Sequence, residues 1–368
     1  MHSADWQLGM WREQLSEEAQ ARFGSARIDG IRRIGQLALE VGAQFVVVAG
    51  DVFESNHLDR SVIRRSLDAM GEAQVPIYLL PGNHDPLQPG GVFNSKLFRE
   101  ESPENVHVLR DTGPVHPLPG VELVGVPWLS KRPAHDPVGD LCAALQPVGG
   151  WRIVVAHGAV DVASPAPDNP ELIRVGIAEQ AIRQGRLHYL ALGDRHSTTS
   201  VGSSGAIWYS GAHEPTRFSE VDPGNILVVE LGEGSPVVAA RRVGTWAFTN
   251  AQFTLAGPQD LAAVFGWLED QPAKDRTLVR LTLVGTLSIQ AMAEMEARLE
   301  EARELFAAVR LSSLSDLALA PDESDFSGLN LSGFAATAAD KLRARAETGD
   351  QAAADALALL FRLARSAS

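Results

Sequence analysis

Short apolar runs that each stop at a polar cluster constrain the fold of this chain more than any other feature. The run at residues 45–49 ends at Gly50-Asp51, and the run at residues 75–80 is followed by Pro81-Gly82-Asn83-His84-Asp85. Residues 28–41, which precede the first run, have the apolar period of a helix. Buried strands that alternate with helices predict a sheet layered between helices. In such a sheet the functional site lies beyond the carboxyl ends of the strands.

The same arrangement recurs elsewhere in the chain. Residues 152–156 form an apolar run that ends at His157-Gly158, and residues 187–192 form one that ends at Gly193-Asp194-Arg195-His196. A further cluster, Asp5-Trp6-Gln7, stands near the first residue. Together these strand ends supply carboxylate, amide and imidazole groups: Asp5, Gln7, Asp51, Asn83, His157, Asp194 and His196. Such groups in one place predict a metal site, with His84 and Asp85 as candidate catalytic residues beside it.

Metal-assisted hydrolysis of a phosphate ester requires two divalent ions, about 3.5–4 Å apart, that share one carboxylate. The predicted ligands are oxygen and nitrogen donors without sulfur, so manganese, iron and zinc all suit them; the oxygen-rich balance favours Mn²⁺ over Fe²⁺ or Zn²⁺. Each cluster taken singly has a structural alternative, because Gly-Asp after a strand is often a plain turn. For Asp85, capping a turn is the alternative to orienting His84. The order of five clusters, all at strand ends, favours the metal site.

The formal net charge of −14 limits the partners that this sequence of 368 residues suggests. An acidic field opposes non-specific binding to a polyanion such as nucleic acid. The only cysteine, Cys142, excludes a disulfide framework and a thiolate metal site. No apolar run approaches the roughly 20 residues that span a bilayer, and the first residues lack the pattern of a signal peptide. We therefore expect a cytoplasmic protein without a membrane segment.

A change in the sequence pattern near residue 245 predicts more than one unit. We expect a first domain at residues 1–245, a small α/β domain at residues 246–317 and a C-terminal helical tail at residues 318–368. The last predicted helix carries an apolar stripe that includes Leu357, Leu360 and Phe361. This stripe either folds onto the protein or forms a docking face for a partner.

In the order of its clusters the chain resembles the calcineurin-like metallophosphoesterase superfamily. The motifs that carry the resemblance are Asp5-Trp6-Gln7, Gly50-Asp51-Val52-Phe53, Gly82-Asn83-His84-Asp85, His157-Gly158 and Gly193-Asp194-Arg195-His196. Among the members it most resembles the SbcD-type DNA repair exonucleases, through residues 3–9, 50–53 and 191–193. The motifs extend over residues 1 to about 245. The resemblance implies an α/β fold: a two-sheet metallophosphoesterase sandwich flanked by helices, with a small α/β capping domain and C-terminal helices.

The resemblance also implies a role for each ligand. The first metal would be surrounded by Asp5, Gln7, Asp51 and His196. The second would be surrounded by Asp51, Asn83, His157 and Asp194, with Asp51 bridging the two ions. His84 would lie outside both sets, near the phosphate and the leaving oxygen.

Two ligands depart from the family pattern, which usually has histidine at both positions. Gln7 offers a neutral amide, so the first metal should bind more weakly. Asp194 adds a charge, which should strengthen the second metal. The centre is then either retuned towards hard ions or in decay.

Three hypotheses on function follow. The preferred one is a two-metal-dependent phosphodiesterase, a DNA exonuclease or endonuclease subunit of the SbcD type acting in DNA repair, whose C-terminal helices bind an SbcC-like ATPase. The second is a phosphodiesterase of nucleotides or other small phosphoesters, which the acidic charge favours. The third is a non-catalytic assembly subunit with a drifted metal site. The sequence leaves open the polarity of cleavage and whether the chain forms a homodimer.

Overall fold

The computed structural model describes residues 1–130, 135–166, 168–319 and 333–350, together with 352–353, 356–357 and 359–360. The chain divides into two compact units. The first comprises Met1–Glu13 and Gln20–Trp246, and the second comprises Gln14–Ala19 and Ala247–Ser368. Among the described residues, no helix is long and apolar enough to cross a membrane.

Strands and helices alternate through most of the first unit. Its strands are β1 (His2–Ser3), β2 (Val46–Val48), β3 (Ile77–Leu79), β4 (Val106–Val108), β5 (Val115–Leu118), β6 (Val121–Val126), β7 (Trp151–His157), β8 (Tyr189–Gly193), β9 (Thr199–Val201), β10 (Ile207–Tyr209), β11 (Asn225–Glu230) and β12 (Val237–Arg242). The helices in this part of the chain are α1 (Glu17–Glu40), α2 (Arg60–Gly71), α3 (Lys96–Glu101), α4 (Pro137–Ala144) and α5 (Val175–Arg183).

The strands of the first unit form two six-stranded sheets. The first has the order β12-β11-β1-β2-β3-β4, with β1 to β4 parallel. The second has the order β5-β6-β7-β8-β10-β9, with β6, β7, β8 and β10 parallel. In the first sheet Ser3 pairs with Val48, which pairs with Leu79, so β1, β2 and β3 end side by side. In the second, His157 at the end of β7 pairs with Gly193 at the end of β8.

Each central strand is buried on both faces, as its continuous apolar run predicts. Val46 and Val48 belong to the core shared with α1 and α2. Val47 points the other way, into a core that also contains Ile153 and Tyr189 from the second sheet. The two sheets therefore pack face to face, with helices on the outer side of the first. This confirms the predicted fold class, an α/β two-sheet sandwich flanked by helices.

The second unit has a four-stranded parallel sheet of its own. Its strands are β13 (Ala247–Leu255), β14 (Thr277–Leu287), β15 (Ala308–Leu311) and β16 (Asp316–Leu319), and its helices are α6 (Pro258–Glu269), α7 (Ile289–Leu305) and α8 (Phe334–Glu347). β14 pairs with β13 along one edge, and with β15 and then β16 along the other. β16 crosses the predicted boundary between residues 317 and 318.

Part of the C-terminal apolar stripe packs within the second unit. Leu357 is 1% exposed and lies in a small core with Ile289 of α7 and Ala339 of α8. Leu360 is partly buried against the same core, whereas Phe361 lies outside the described residues. These two leucines therefore fold onto the protein and do not form a docking face, because the chain itself covers their apolar surface.

Several predicted element bounds need correction. The helix predicted at residues 28–41 begins at Glu17, because Ala19 and Phe23 extend its buried face towards the N-terminus. The β4 and β5 strands and the short helix α3 were not predicted, since none has a long apolar run. The predicted final helix at residues 350–365 is described only in part, where residues 352–353, 356–357 and 359–360 are helical.

The close approach of the two sheets yields a test at Gly193. A Cβ atom on Gly193 would lie 1.9 Å from the carbonyl oxygen of Ala49, a backbone atom of the opposite sheet. Gly193→Ala should lower the free energy of unfolding by about 1–3 kcal/mol, because one backbone must move. Gly176→Ala in α5, where the new Cβ would meet nothing within 4 Å, should be neutral or stabilising by up to about 1 kcal/mol. Equal stabilities in urea denaturation would contradict the assigned sheet contact.

Candidate metal centre

The seven predicted ligands lie together where β1, β2, β3, β7 and β8 end. The loops after β1 and β2 run side by side, since Asp5 N donates to Gly50 O at 3.1 Å and Gln7 N donates to Asp51 O at 2.9 Å. The loop after β8 joins them, because Asp194 N donates to Asp5 Oδ1 at 3.0 Å. The centre therefore draws on both sheets of the sandwich.

Four of the predicted ligands hold backbone conformations that non-glycine residues rarely adopt. The φ angles are positive at Asp5 (53°), Gln7 (42°), Asp51 (51°) and Asp194 (98°). Among the described residues only two other non-glycine residues, Asp222 and Ala273, share this property. Each such residue costs of order 1–3 kcal/mol, and strain of this kind concentrates at functional sites. Backbone hydrogen bonds between the loops, such as Asp5 N to Gly50 O and Gln7 N to Asp51 O, help to hold these conformations against the strain.

His157 is the point on which one set of ligands converges. Its Nδ1–H donates to the Ala49 carbonyl at 2.9 Å, which leaves the Nε2 lone pair for a ligand. Around Nε2 lie Asn83 Oδ1 at 2.8 Å, Asp51 Oδ2 at 3.4 Å and Asp194 Oδ1 at 3.8 Å. These four residues are the set predicted for the second metal.

The Asn83 side chain can present either its oxygen or its nitrogen to this set. In one orientation the amide oxygen faces only hydrogen-bond acceptors. In the orientation with oxygen and nitrogen exchanged, the nitrogen would lie 2.8 Å from His157 Nε2 and 3.1 Å from each Asp51 carboxylate oxygen. With the nitrogen directed inward, the amide donates hydrogen bonds to His157 and Asp51. With the oxygen directed inward, it could instead serve as a ligand of a bound cation. Gly82 allows the close approach of this loop, since a Cβ there would lie 2.2 Å from Asp51 Oδ1.

The other set of predicted ligands lies around His196. Its Nε2 lies 3.8 Å from Asp5 Oδ1 and 3.5 Å from Gln7 Nε2. Gln7 is 1% exposed, and its Oε1 is buried without a hydrogen-bond partner among the described residues. One donor atom from each of Asp5, Asp51 and His157 lies within 4.8 Å of the others, so Asp51 connects the two sets. A buried amide oxygen without a partner is what a cation at the first position would satisfy.

The carboxylates of this cluster are buried, and burial disfavours their charged form. Burial raises the pKa of Asp5 to about 6; His196 and His157 oppose that shift, whereas Asp51 and Asp194 add to it. Burial also acts to raise the pKa of Asp51, but the charge and hydrogen bond of His157 outweigh it, and the pKa is lowered. Although burial opposes protonation of His157, the Asp51 charge raises its pKa well above the ordinary value. The carboxylates thus stabilise positive charge nearby, and bound divalent ions could supply that charge.

His84 stands beside the cluster rather than in either set. Its Nδ1–H donates to the carbonyl oxygen of Glu54 at 2.9 Å, and its Nε2 lies 4.0 Å from Asp51 Oδ2. The side chain is 34% exposed, so the ring can reach a bound molecule. A carboxylate oxygen of Glu54 lies 3.8 Å from Nδ1. The structure thus places His84 beside the Asp51 carboxylate with part of its ring exposed.

Asp85 makes contacts of a different kind. It is fully buried, and its carboxylate accepts hydrogen bonds from Phe53 N at 2.9 Å and Gly82 N at 2.7 Å. Burial, with the Asp51 charge adding to it, raises the pKa of Asp85 to about 7. The imidazole of His84 is held by Glu54 instead, so the geometry of Asp85 is that of the turn-capping alternative.

Sequence patterns did not identify two further contacts, one with the imidazole of His196 and one with the backbone of His157. Glu220 Oε1 lies 3.0 Å from His196 Nδ1, and Thr216 joins the same contact. Burial acts to raise the pKa of Glu220, but hydrogen bonds from His196 and Thr216 lower it. Trp128 Nε1 donates to the His157 carbonyl at 2.6 Å. Only the fold brings Glu220 beside a ligand 24 residues away in the chain.

Comparison with known proteins supplies the family. The model of the calcineurin-like phosphoesterases matches residues 1–228. The chain belongs to the calcineurin-like phosphoesterase family. This confirms the family that the motifs predicted, and it implies a metal-dependent phosphoester hydrolase that uses divalent ions.

Two solved structures resemble this phosphoesterase at low identity. TT1561 of Thermus thermophilus matches 59% of this chain and 94% of its own, at 10% identity and a TM-score of 0.37. A second structure matches 58% of this chain and 94% of its own, at 16% identity and a TM-score of 0.36. Among curated proteins, none matches this chain. The family assignment therefore rests on the family model and the site motifs.

Metal binding should stabilise this phosphoesterase measurably. At a free Mn²⁺ concentration 100 times the dissociation constant, the free energy of unfolding should rise by about 2.7 kcal/mol per bound ion. Asp51→Asn should lose most of this gain, because Asp51 faces both ligand sets, and EDTA should abolish it in the wild type. Glu179→Gln is the control, since its carboxylate accepts from Ser203 N and Ser204 N instead. An equal Mn²⁺ effect in wild type and Asp51→Asn would contradict the shared ligand.

The two ions should bind unequally, because Gln7 offers only a neutral amide. Gln7→His should tighten the weaker ion by roughly tenfold, or about 1.4 kcal/mol, since imidazole is the stronger ligand for manganese, iron and zinc. The tighter ion should change little. Isothermal titration calorimetry with Mn²⁺ resolves the two constants; a Gln7→His protein with unchanged constants would show that residue 7 is not a ligand.

Proposed function

We propose that this protein is a two-metal phosphodiesterase that cleaves DNA, of the SbcD exonuclease type. The observation that carries the proposal is the convergence of two ligand sets on one shared carboxylate, Asp51, with His84 beside it. The motifs at residues 3–9, 50–53 and 191–193 favour the SbcD type within the family. The centre suits a phosphodiester, and the flanking motifs favour DNA as the molecule that contains it.

The ligands divide between two ions as the distances suggest. Asp5, Gln7 and His196 would hold the first, Asn83, His157 and Asp194 would hold the second, and Asp51 would bridge them. The oxygen-rich sets favour Mn²⁺, with Fe²⁺ and Zn²⁺ as alternatives. When bound, such a pair activates a water molecule and neutralises charge on the phosphate.

The role of His84 follows from how its ring is held. Because Nδ1–H donates to the Glu54 carbonyl, Nε2 is directed towards the side of the Asp51 carboxylate. From there it can hydrogen-bond a phosphate oxygen or pass a proton to the leaving oxygen. The contacts of Asp85 with Gly82 N and Phe53 N hold the His84 loop against the Asp51 loop. Asp85 would then act on catalysis by positioning, not by touching the substrate.

Proton transfer or hydrogen bonding by His84 should be visible in the rate. His84→Ala should lower kcat on DNA with Mn²⁺ by about 10²–10⁴-fold while leaving Mn²⁺ stoichiometry unchanged. His116→Ala, in the exposed part of β5, is the matched control and should behave as the wild type. Labelled single- and double-stranded DNA would distinguish exonuclease from endonuclease products. Absence of cleavage by the wild type, or full activity in His84→Ala, would overturn the proposal.

A second candidate function is hydrolysis of nucleotides or other small phosphodiesters. The net charge of −14 favours it, because a polyanion is repelled more than a small substrate. A panel of small phosphodiesters, compared with DNA at moderate salt by kcat/KM, separates the two. Faster turnover of the small substrates would favour this candidate.

The proposed protein partner is an SbcC-like ATPase that binds the C-terminal helices. Since Leu357 packs inside the second unit, the docking surface would use side chains on the outside of these helices. Phe334 at the start of α8 is 89% exposed, and Leu359 is 51% exposed. These two apolar residues are the ones whose substitution should weaken such a complex.

A further inference from the structure

One buried carboxylate beside the metal centre has no place in the ligand sets. The Glu220 side chain is 4% exposed, and its Oε1 lies 3.0 Å from Nδ1 of His196. Its other oxygen, Oε2, accepts from Thr216 N at 2.9 Å. The Thr216 hydroxyl lies 2.5 Å from His196 Nδ1 and donates to Glu220 Oε1. The carboxylate thus meets His196 on the side of the ring that faces away from Asp5 and Gln7.

We propose that Glu220, with Thr216, is a positioning residue that orients His196 for the first metal. The inference rests on the proposed two-metal centre. Because a carboxylate accepts only, Nδ1 must carry the proton, and the lone pair is left on Nε2. That nitrogen faces Asp5 Oδ1 at 3.8 Å and the Gln7 amide at 3.5 Å. A charged acceptor also makes imidazole a better metal ligand.

The two histidines of the centre are supported differently. His157 donates Nδ1–H to a neutral backbone carbonyl, that of Ala49. His196 donates to a carboxylate. The charged support therefore belongs to the metal position that has the neutral amide of Gln7, where a stronger imidazole ligand matters most.

The segment that carries Glu220 is anchored independently of the metal. At its start, Glu214 accepts from Thr245 N at 2.9 Å and Trp246 N at 3.0 Å, and Arg33 Nη2 donates to it at 2.7 Å. Next along the chain, Pro215 O accepts from Arg27 at 3.2 Å. These bonds anchor the start of the segment through groups that are not predicted metal ligands. Glu214 is equally buried but touches no predicted ligand, so it provides a matched control.

The test compares Mn²⁺ binding by Glu220→Gln, Thr216→Val and Glu214→Gln in the full chain. Glu220→Gln keeps the shape but removes the charge, and it should weaken the weaker Mn²⁺ by roughly 10-fold or more, with the tighter ion changed less than about twofold. Thr216→Val should have a smaller effect in the same direction, and Thr216→Ser should restore wild-type binding. Glu214→Gln should lower the melting temperature without changing either constant. Calorimetry gives the constants, and melting of the metal-free proteins separates binding from folding.

A second readout needs no metal. Nitrogen-15 NMR of the metal-free protein at alkaline pH should show His196, identified by its loss in His196→Gln, protonated at Nδ1 in the wild type and as a tautomer mixture in Glu220→Gln. An unchanged tautomer, or equal weakening of both ions by Glu220→Gln, would overturn the role of Glu220. If the wild type binds fewer than two ions while the tautomer result holds, the two-metal function fails and the positioning role stands.

Discussion

The burial of two carboxylates, Asp5 and Asp51, is the constraint on which the rest of the centre depends. Each is held by an amide from another strand end: Asp194 N donates to Asp5, and His84 N donates to Asp51. Asp85 completes the arrangement by accepting from Phe53 N. Buried charge of one sign is costly unless it is hydrogen-bonded and neutralised. The loops are thus tied together around a place that favours cations, and the backbone strain at four ligands is a consequence of that arrangement.

The centre is asymmetric, and its asymmetry bears on whether it is retuned or in decay. Each proposed position would have two carboxylates and one imidazole, and they would differ in the amide, which is Asn83 at one position and Gln7 at the other. Yet the position with Gln7 is also the one supported by Glu220, a buried carboxylate whose contacts are with His196 and Thr216. Burying a carboxylate such as Glu220 costs free energy. Its presence beside His196 therefore favours a metal centre that is retuned over one that is in decay.

Arg27 lies beside the candidate metal centre, but its charge is not free to attract a phosphate. Arg27 is fully buried, and burial lowers its pKa to about 10 although the charges of Glu214, Glu220 and Glu54 oppose the shift. Its guanidinium donates to backbone carbonyls of Trp6 and Pro215. With a net charge of −14 over the chain, the ions themselves would supply most of the attraction for a phosphodiester. Such a local attraction would reconcile the acidic charge of the protein with the proposed polyanionic substrate.

The amino-acid sequence was sufficient to predict the strand ends, the polar groups that follow them and the family. Apolar runs buried on both faces, each followed by Asp, Asn or His, specify a sheet and place polar groups at one edge of it, because side chains beyond a parallel strand must lie there. It could not show which groups contact His196, His84 and the backbone carbonyl of His157, since no periodicity or spacing links Glu220, Glu54 and Trp128 to these histidines. Nor could it show that Asp85 bonds to two backbone amides and not to His84. Apart from the bond between Asp85 and Gly82, these contacts join residues 24 or more positions apart in the chain. The fold decides them, because it brings the loops after different strands together.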